Sequence, residues 1–206
     1  MIFDTNSSNS FRCLLLSLIV FATTNVANAQ LVVISFDETE APNLFLEPTP
    51  LSNEFSSLGV TFEGPTKLSG GAILNDSSFS VSARSGANFL AFNGTPGAAF
   101  PSGGFPIGPE TLLFDTNITE FSIWAANVID GAADFSAQGF LGNTLLDSTT
   151  VSVSNPYEEL SLSSSQGFDR VVLTGGSSVY VFDDLSFRAI PEPSAFAFCG
   201  VLALNG

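Results

Sequence analysis

Apolar positions along this chain recur with a period of two, in short runs divided by turn residues. Val60 and Phe62 flank Thr61, and Phe121, Ile123 and Ala125 share one face of a run whose other face carries Ser122 and Trp124. That alternation belongs to half-buried strands. Leu31–Phe36, Asn88–Phe92, Phe135–Ala137, Thr144–Leu146, Val151–Val153, Phe168–Leu173 and Val179–Phe182 read as further strands. Asp130-Gly131 signals a hairpin between the Phe121 strand and Phe135–Ala137, and Gly142-Asn143 signals another turn. No stretch keeps a helical period with caps. Many short strands between turns predict an all-β fold, an antiparallel β-sandwich of jelly-roll type. Its expected core is Ile34, Phe36, Val60, Phe62, Phe89, Phe121, Ile123, Val171, Leu173, Val181 and Leu185. The Gly- and Pro-rich stretch 93–109 breaks the rhythm and reads as a long loop.

The two ends follow other rules. Arg12 precedes the apolar run Leu14–Ala22, and Ala27-Asn28-Ala29 follows. A charged start, a short apolar stretch and an A-x-A site make a secretory signal, with Ala27 and Ala29 as the cleavage residues. The run is too short to cross a bilayer. The expected organisation is a signal over 1–29, a sandwich over 30–189 and a tail over 190–206. The body, about 160 residues, suffices for one core that hides about two-thirds of the unfolded surface.

Composition narrows the chemistry. Against 20 acidic residues stand 5 Lys and Arg, a net charge of −15. Nucleic acid and anionic lipid need clustered cations, so neither is an expected partner. There is no His, which removes Ser-His-Asp and Cys-His catalysis and His-ligated zinc. Cys13 and Cys199 lie in the signal and the tail, which leaves the body without thiol chemistry. The 21 Phe argue for a packed core rather than disorder.

Val181-Phe182-Asp183-Asp184-Leu185-Ser186-Phe187 closes the body, then come Ile190-Pro191-Glu192-Pro193-Ser194 and the apolar run Ala195–Leu204. This ending resembles the PEP-CTERM exported proteins of Gram-negative bacteria. In that family the Pro-Glu-Pro triplet, here Pro191, Glu192 and Pro193, opens a sorting tag read by an exosortase. The apolar run of about 10 residues is shorter than a membrane span and no basic cluster follows it, so weak membrane association is expected. The body is similar to the galactose-binding-like sandwiches found beside such tags, in its Ile34–Asp37 opening, its Phe55–Phe62 segment and its Asp183–Phe187 ending. The resemblance implies a cell-surface or matrix location and extracellular polysaccharide as a partner.

It also implies that the first and last strands run side by side. Asp37 and Glu38 would then meet Asp183 and Asp184, an oxygen-rich set suited to a structural Ca²⁺; solvated strand ends are the alternative. Alternation puts Val181, Asp183, Leu185 and Phe187 on one face, with Asp183 the more buried carboxylate. Trp124, facing away from Phe121 and Ile123, is a candidate sugar-stacking platform unless the 93–109 loop covers it. A glycosidase needs two opposed carboxylates in a cleft and nothing in the spacing singles out such a pair, so no catalytic residue is assigned and the function expected is non-catalytic binding. A purely structural surface protein is the first alternative and an acidic carbohydrate-active enzyme the second.

Overall fold

A computed structural model of the chain describes residues 29–38, 51–64, 71–78, 81–91, 109–127, 132–153, 157–175 and 180–190. Ala27, the Asp130-Gly131 turn, Pro191, Glu192 and Pro193 lie outside them, as do nearly all of the 93–109 stretch and most of the signal and tail. Among the described residues nine strands follow one another: β1 Gln30–Ile34, β2 Val60–Glu63, β3 Ala72–Asn75, β4 Asn88–Ala91, β5 Glu110–Asn127, β6 Ala133–Leu141, β7 Thr144–Val153, β8 Glu158–Gly175 and β9 Tyr180–Ala189. Ser56–Leu58 and Asp76–Ser78 form single 3-10 turns.

Every strand pairing is antiparallel, in the order β3-β4-β9-β5-β8-β6-β7, with β1 also on β9 and β2 also on β5. β6 and β9 are three strand spacings apart in that order, about 14 Å across a flat sheet. Yet the rings of Phe135 on β6 and Phe182 on β9 lie 4.6 Å apart. The sheet is therefore folded onto itself as a sandwich.

The 18-residue strands β5 and β8 make the fold-over. They pair from Glu110↔Leu173 to Ala125↔Glu158, with register irregularities between Leu113 and Glu120. Such irregularities bend a strand and increase its twist. Before the bend β5 carries β2 on its other edge, and after it β9. Past the bend, β8 carries β6 at Arg170–Gly175.

All eleven expected core residues are buried. Phe residues 36, 55, 62, 114, 121, 135, 168, 182 and 187 join Ile34, Leu112, Ile123, Leu160 and Leu185 in one cluster between the layers. The Gly142-Asn143 turn joins β6 to β7, with Leu141 opposite Thr144. The expected β5–β6 hairpin does not form: β6 pairs with β7 and β8, so the chain crosses from one layer to the other between them.

The face assignment on β9 also needs correction. Ser122 pairs with Ser186, but Trp124 pairs with Asp183, so β9 holds one extra residue between them. Asp184 takes it up at φ 47. The bulge reverses the alternation: Phe182, Leu185 and Phe187 face the main core, whereas Val181 joins a second cluster with Ala72, Leu74, Val81, Phe89, Ala91 and Ala126.

Candidate functional site

The face of β9, β5 and β8 that looks away from the main core has two ends of different construction.

At the bulge end a crossing segment, Val81–Ala87, lies over the sheet and is held by carboxylates. Asp183 is fully buried; its Oδ2 accepts the backbone N–H groups of Arg84 (2.7 Å) and Ser85 (3.1 Å), and its Oδ1 that of Asp184 (2.8 Å). Asp184 accepts the Ser85 hydroxyl at 2.6 Å and pairs with the Arg84 guanidinium. Asp37 Oδ1 accepts N–H from Ala87 (3.0 Å) and Asn88 (3.1 Å), while Asp76 Oδ2 accepts that of Ala83 (2.9 Å). Gly86 sits at φ +55, and a Cβ there would lie 1.6 Å from Asp37 Oδ2. Only glycine lets the backbone pass so close to the carboxylate.

Desolvation by burial pushes the Asp183 carboxyl up to about 6, against the downward pull of its three N–H donors and with a smaller push from Asp184. Tyr157, whose hydroxyl donates to Ser82 O at 3.2 Å, is raised by burial and by the charges of Asp183, Asp76 and Asp184.

The structure thus unites three of the four expected calcium ligands, around the segment 84–88. Asp37, Asp183 and Asp184 are turned to N–H, hydroxyl and guanidinium donors. Glu38 bonds locally, accepting Ser35 N at 2.9 Å and Ser35 Oγ at 3.1 Å. Among the described residues no group of three or more His, Cys, Asp or Glu is placed to hold a metal ion. β1 and β9 are indeed neighbours, Ile34 opposite Leu185. Trp124 does face away from Phe121 and Ile123, but the guanidinium of Arg84 lies over its ring, 3.9 Å from the centroid. That ring face is occupied.

The other end is open. Cross-strand register lays two rows over four strands: Val33, Ser186, Ser122 and Ser161 in one, Leu31, Arg188, Glu120 and Ser163 in the next. Leu31 and Val33 are 52% and 55% exposed, and Ser161 and Ser163 are exposed hydroxyls. Asp147 of β7 bounds the far side, accepting Ser163 N at 2.9 Å. Most of these residues line a groove of about 300 Å³. Ser122 and Ser186 share a hydrogen bond of 2.9 Å, and Glu120 holds Arg188 Nε at 2.9 Å.

The serine rows were not foreseen from sequence. Their signal is Ser161 and Ser163 alternating with the buried Leu160 and Leu162, the same period that turns the half-buried Ser122 outward between Phe121 and Ile123.

No family model matches the chain, so the Pro191-Glu192-Pro193 resemblance finds no support there, and no curated protein matches it. Among solved structures, the chain is similar to the K2 cleaved adhesin domain of Lys-gingipain, with 13% identity and a TM-score of 0.47 over 77% of this chain and 99% of that one. The K1 cleaved adhesin domain of Lys-gingipain from Porphyromonas gingivalis W83 shares 9% identity at TM-score 0.46, over 79% and 99%. A xylan-binding domain from CBM 22 shares 16% at TM-score 0.39, over 68% and 92%. With similarities at this level, the sandwich rests on the strand pairing described above.

Proposed function

We propose that this chain is an exported, non-catalytic surface or matrix protein that binds carbohydrate through the open groove on its outer sheet face. The observation that carries this reading is the pair of rows in which exposed aliphatic side chains adjoin hydroxyls across neighbouring strands. Sugars offer the matching surface, a ring face of C–H groups and an edge of hydroxyls. The groove carboxylates Glu120 and Asp147 are tied to Arg188 and to Ser163 N, so they hold hydrogen bonds rather than stand as an opposed acid and base. Export by the Ala27–Ala29 signal, and tail processing by an exosortase at Pro191–Pro193, belong to the same proposal.

A glycan array probed with the full-length protein as exported tests it. Binding to at least one glycan class, weakened when Ser161 and Ser163 are both changed to Ala, is the expected result. Binding to none would leave a structural role without ligand. Mass spectrometry of the exported chain, expected to begin at Gln30, tests the signal.

A further inference from the structure

We infer that the groove selects an uncharged polysaccharide and that Glu120 and Asp147 are its specificity-determining residues; this rests on the carbohydrate-binding reading above. The two rows run across β1, β9, β5 and β8, which is three strand spacings or about 14 Å, room for roughly three linked sugar rings. At the β1 side Leu31 and Val33 offer aliphatic surface to the C–H face of a ring. Further along, the Ser122–Ser186 pair and the exposed Ser161 and Ser163 can donate to and accept from sugar hydroxyls.

The charges decide what kind of chain fits. Glu120 and Asp147 both line the groove, and both are hydrogen-bond acceptors only. They suit a ligand rich in hydroxyl donors. The cation at the groove edge, Arg188, is already engaged by Glu120 at 2.9 Å. A uronate or sulfate would therefore meet two carboxylates and no unengaged cation among the groove residues, within the field of a chain of net charge −15. Like-charge juxtaposition of this kind is how interfaces reject wrong partners.

The test is affinity electrophoresis and calorimetry of the full-length protein against four probes: a β-glucan, a neutral galactan, polygalacturonate and a sulfated galactan. At low salt a neutral probe should bind about tenfold or more tightly than the charged ones, and added salt should narrow the gap. Glu120→Gln with Asp147→Asn should raise affinity for the charged probes about tenfold, which narrows the gap between charged and neutral probes at low salt. Circular dichroism and the melting temperature report whether the double variant folds. If it does not, Glu120→Gln alone carries the test, because Glu120 lies on the exposed side of its pair with Arg188. Tighter binding of a charged probe, or equal binding of charged and neutral probes, would overturn the selectivity while leaving carbohydrate binding intact. Binding of none of the four, nor of any array glycan, would remove both.

Discussion

Trp124 and Ser122 are two residues apart on the same strand and the same face, yet one lies beneath a guanidinium and the other opens to a groove. What separates them is the bulge at Asp184. Past it β9 turns a carboxylate, not an apolar side chain, toward the outer face. Buried there, Asp183 must find donors, and beside the N–H of Asp184 it takes the backbone N–H groups of Arg84 and Ser85. Taking those donors draws the segment across the sheet, and Val81, Ala83 and Tyr157 then pack on the second apolar cluster. On the groove side of the bulge the outward residues of β9 and β5 are Ser186, Arg188, Ser122 and Glu120, which pair with one another and need no cover. The crossing segment is thus a consequence of one extra residue in β9.

The sharpest way to break the covered end is Gly86→Ala. The methyl would overlap Asp37 and force a left-handed conformation on a residue with a side chain, so a loss of about 3 kcal/mol in urea unfolding is expected. A change below about 0.5 kcal/mol would mean that the clamp contributes little to folding. Arg84→Ala should cost less, about 1–2 kcal/mol, combining the contact with Trp124 and a partly exposed ion pair with Asp184. Because Trp124 is the single Trp, its emission reports the cover directly: it should shift to the red and become easier to quench. Unaltered emission would show that Arg84 does not shield the ring.

Protonation separates the two ends next. Asp183 is raised in the folded state from 3.8 to about 6, so between those values the folded protein binds more protons than the unfolded one. Stability therefore rises as the pH falls through 6, by about 1 kcal/mol at pH 5 relative to pH 7.5 from this group. Glu110, buried with an oxygen that has no partner, is raised too and acts in the same direction. Urea midpoints at the two pH values measure the gain, and Asp183→Asn should shrink it. A fall in stability over the same interval would mean that the N–H donors outweigh desolvation and hold Asp183 ionised.

Much of this was legible in the sequence because period-two alternation survives in the strands that form the main core. Phe121 and Ile123 on β5, and Val171 and Leu173 on β8, could be placed inward from neighbours alone. The pairing partners could not. The Asp130-Gly131 turn suggested a local hairpin, but β5 takes β8 and β9 instead, a choice made by the layers and not by the turn. The bulge was invisible too, since Asp184 at φ 47 carries no Gly to announce it. Without it Val181 and Asp183 were assigned to the face of Leu185. The Arg84–Trp124 contact was equally hidden: it joins distant parts of the chain, and Arg84-Ser-Gly-Ala has neither strand nor helix period.

The smallest effect expected is that of calcium, and it bears on what the carboxylates at the covered end are for. A cation shared by Asp37, Asp183 and Asp184 would have to take lone pairs now given to hydrogen bonds. Asp183 accepts three N–H groups over its two oxygens, Asp37 Oδ1 accepts two, and Asp184 already faces a guanidinium. Displacing those donors would break five hydrogen bonds that are part-buried or exposed, each worth about 0.5–1.5 kcal/mol net. A site filled at 100 times its dissociation constant would add about 2.7 kcal/mol. Against that, the full-length protein is expected to differ by less than about 0.3 kcal/mol between millimolar calcium and chelator, within the scatter of surface effects. A melting temperature that rises in calcium, and ceases to rise in Asp183→Asn, would reverse this: the segment 84–88 would then be held by a bound ion rather than by the aspartates directly, and the cover over Trp124 would loosen whenever calcium is removed.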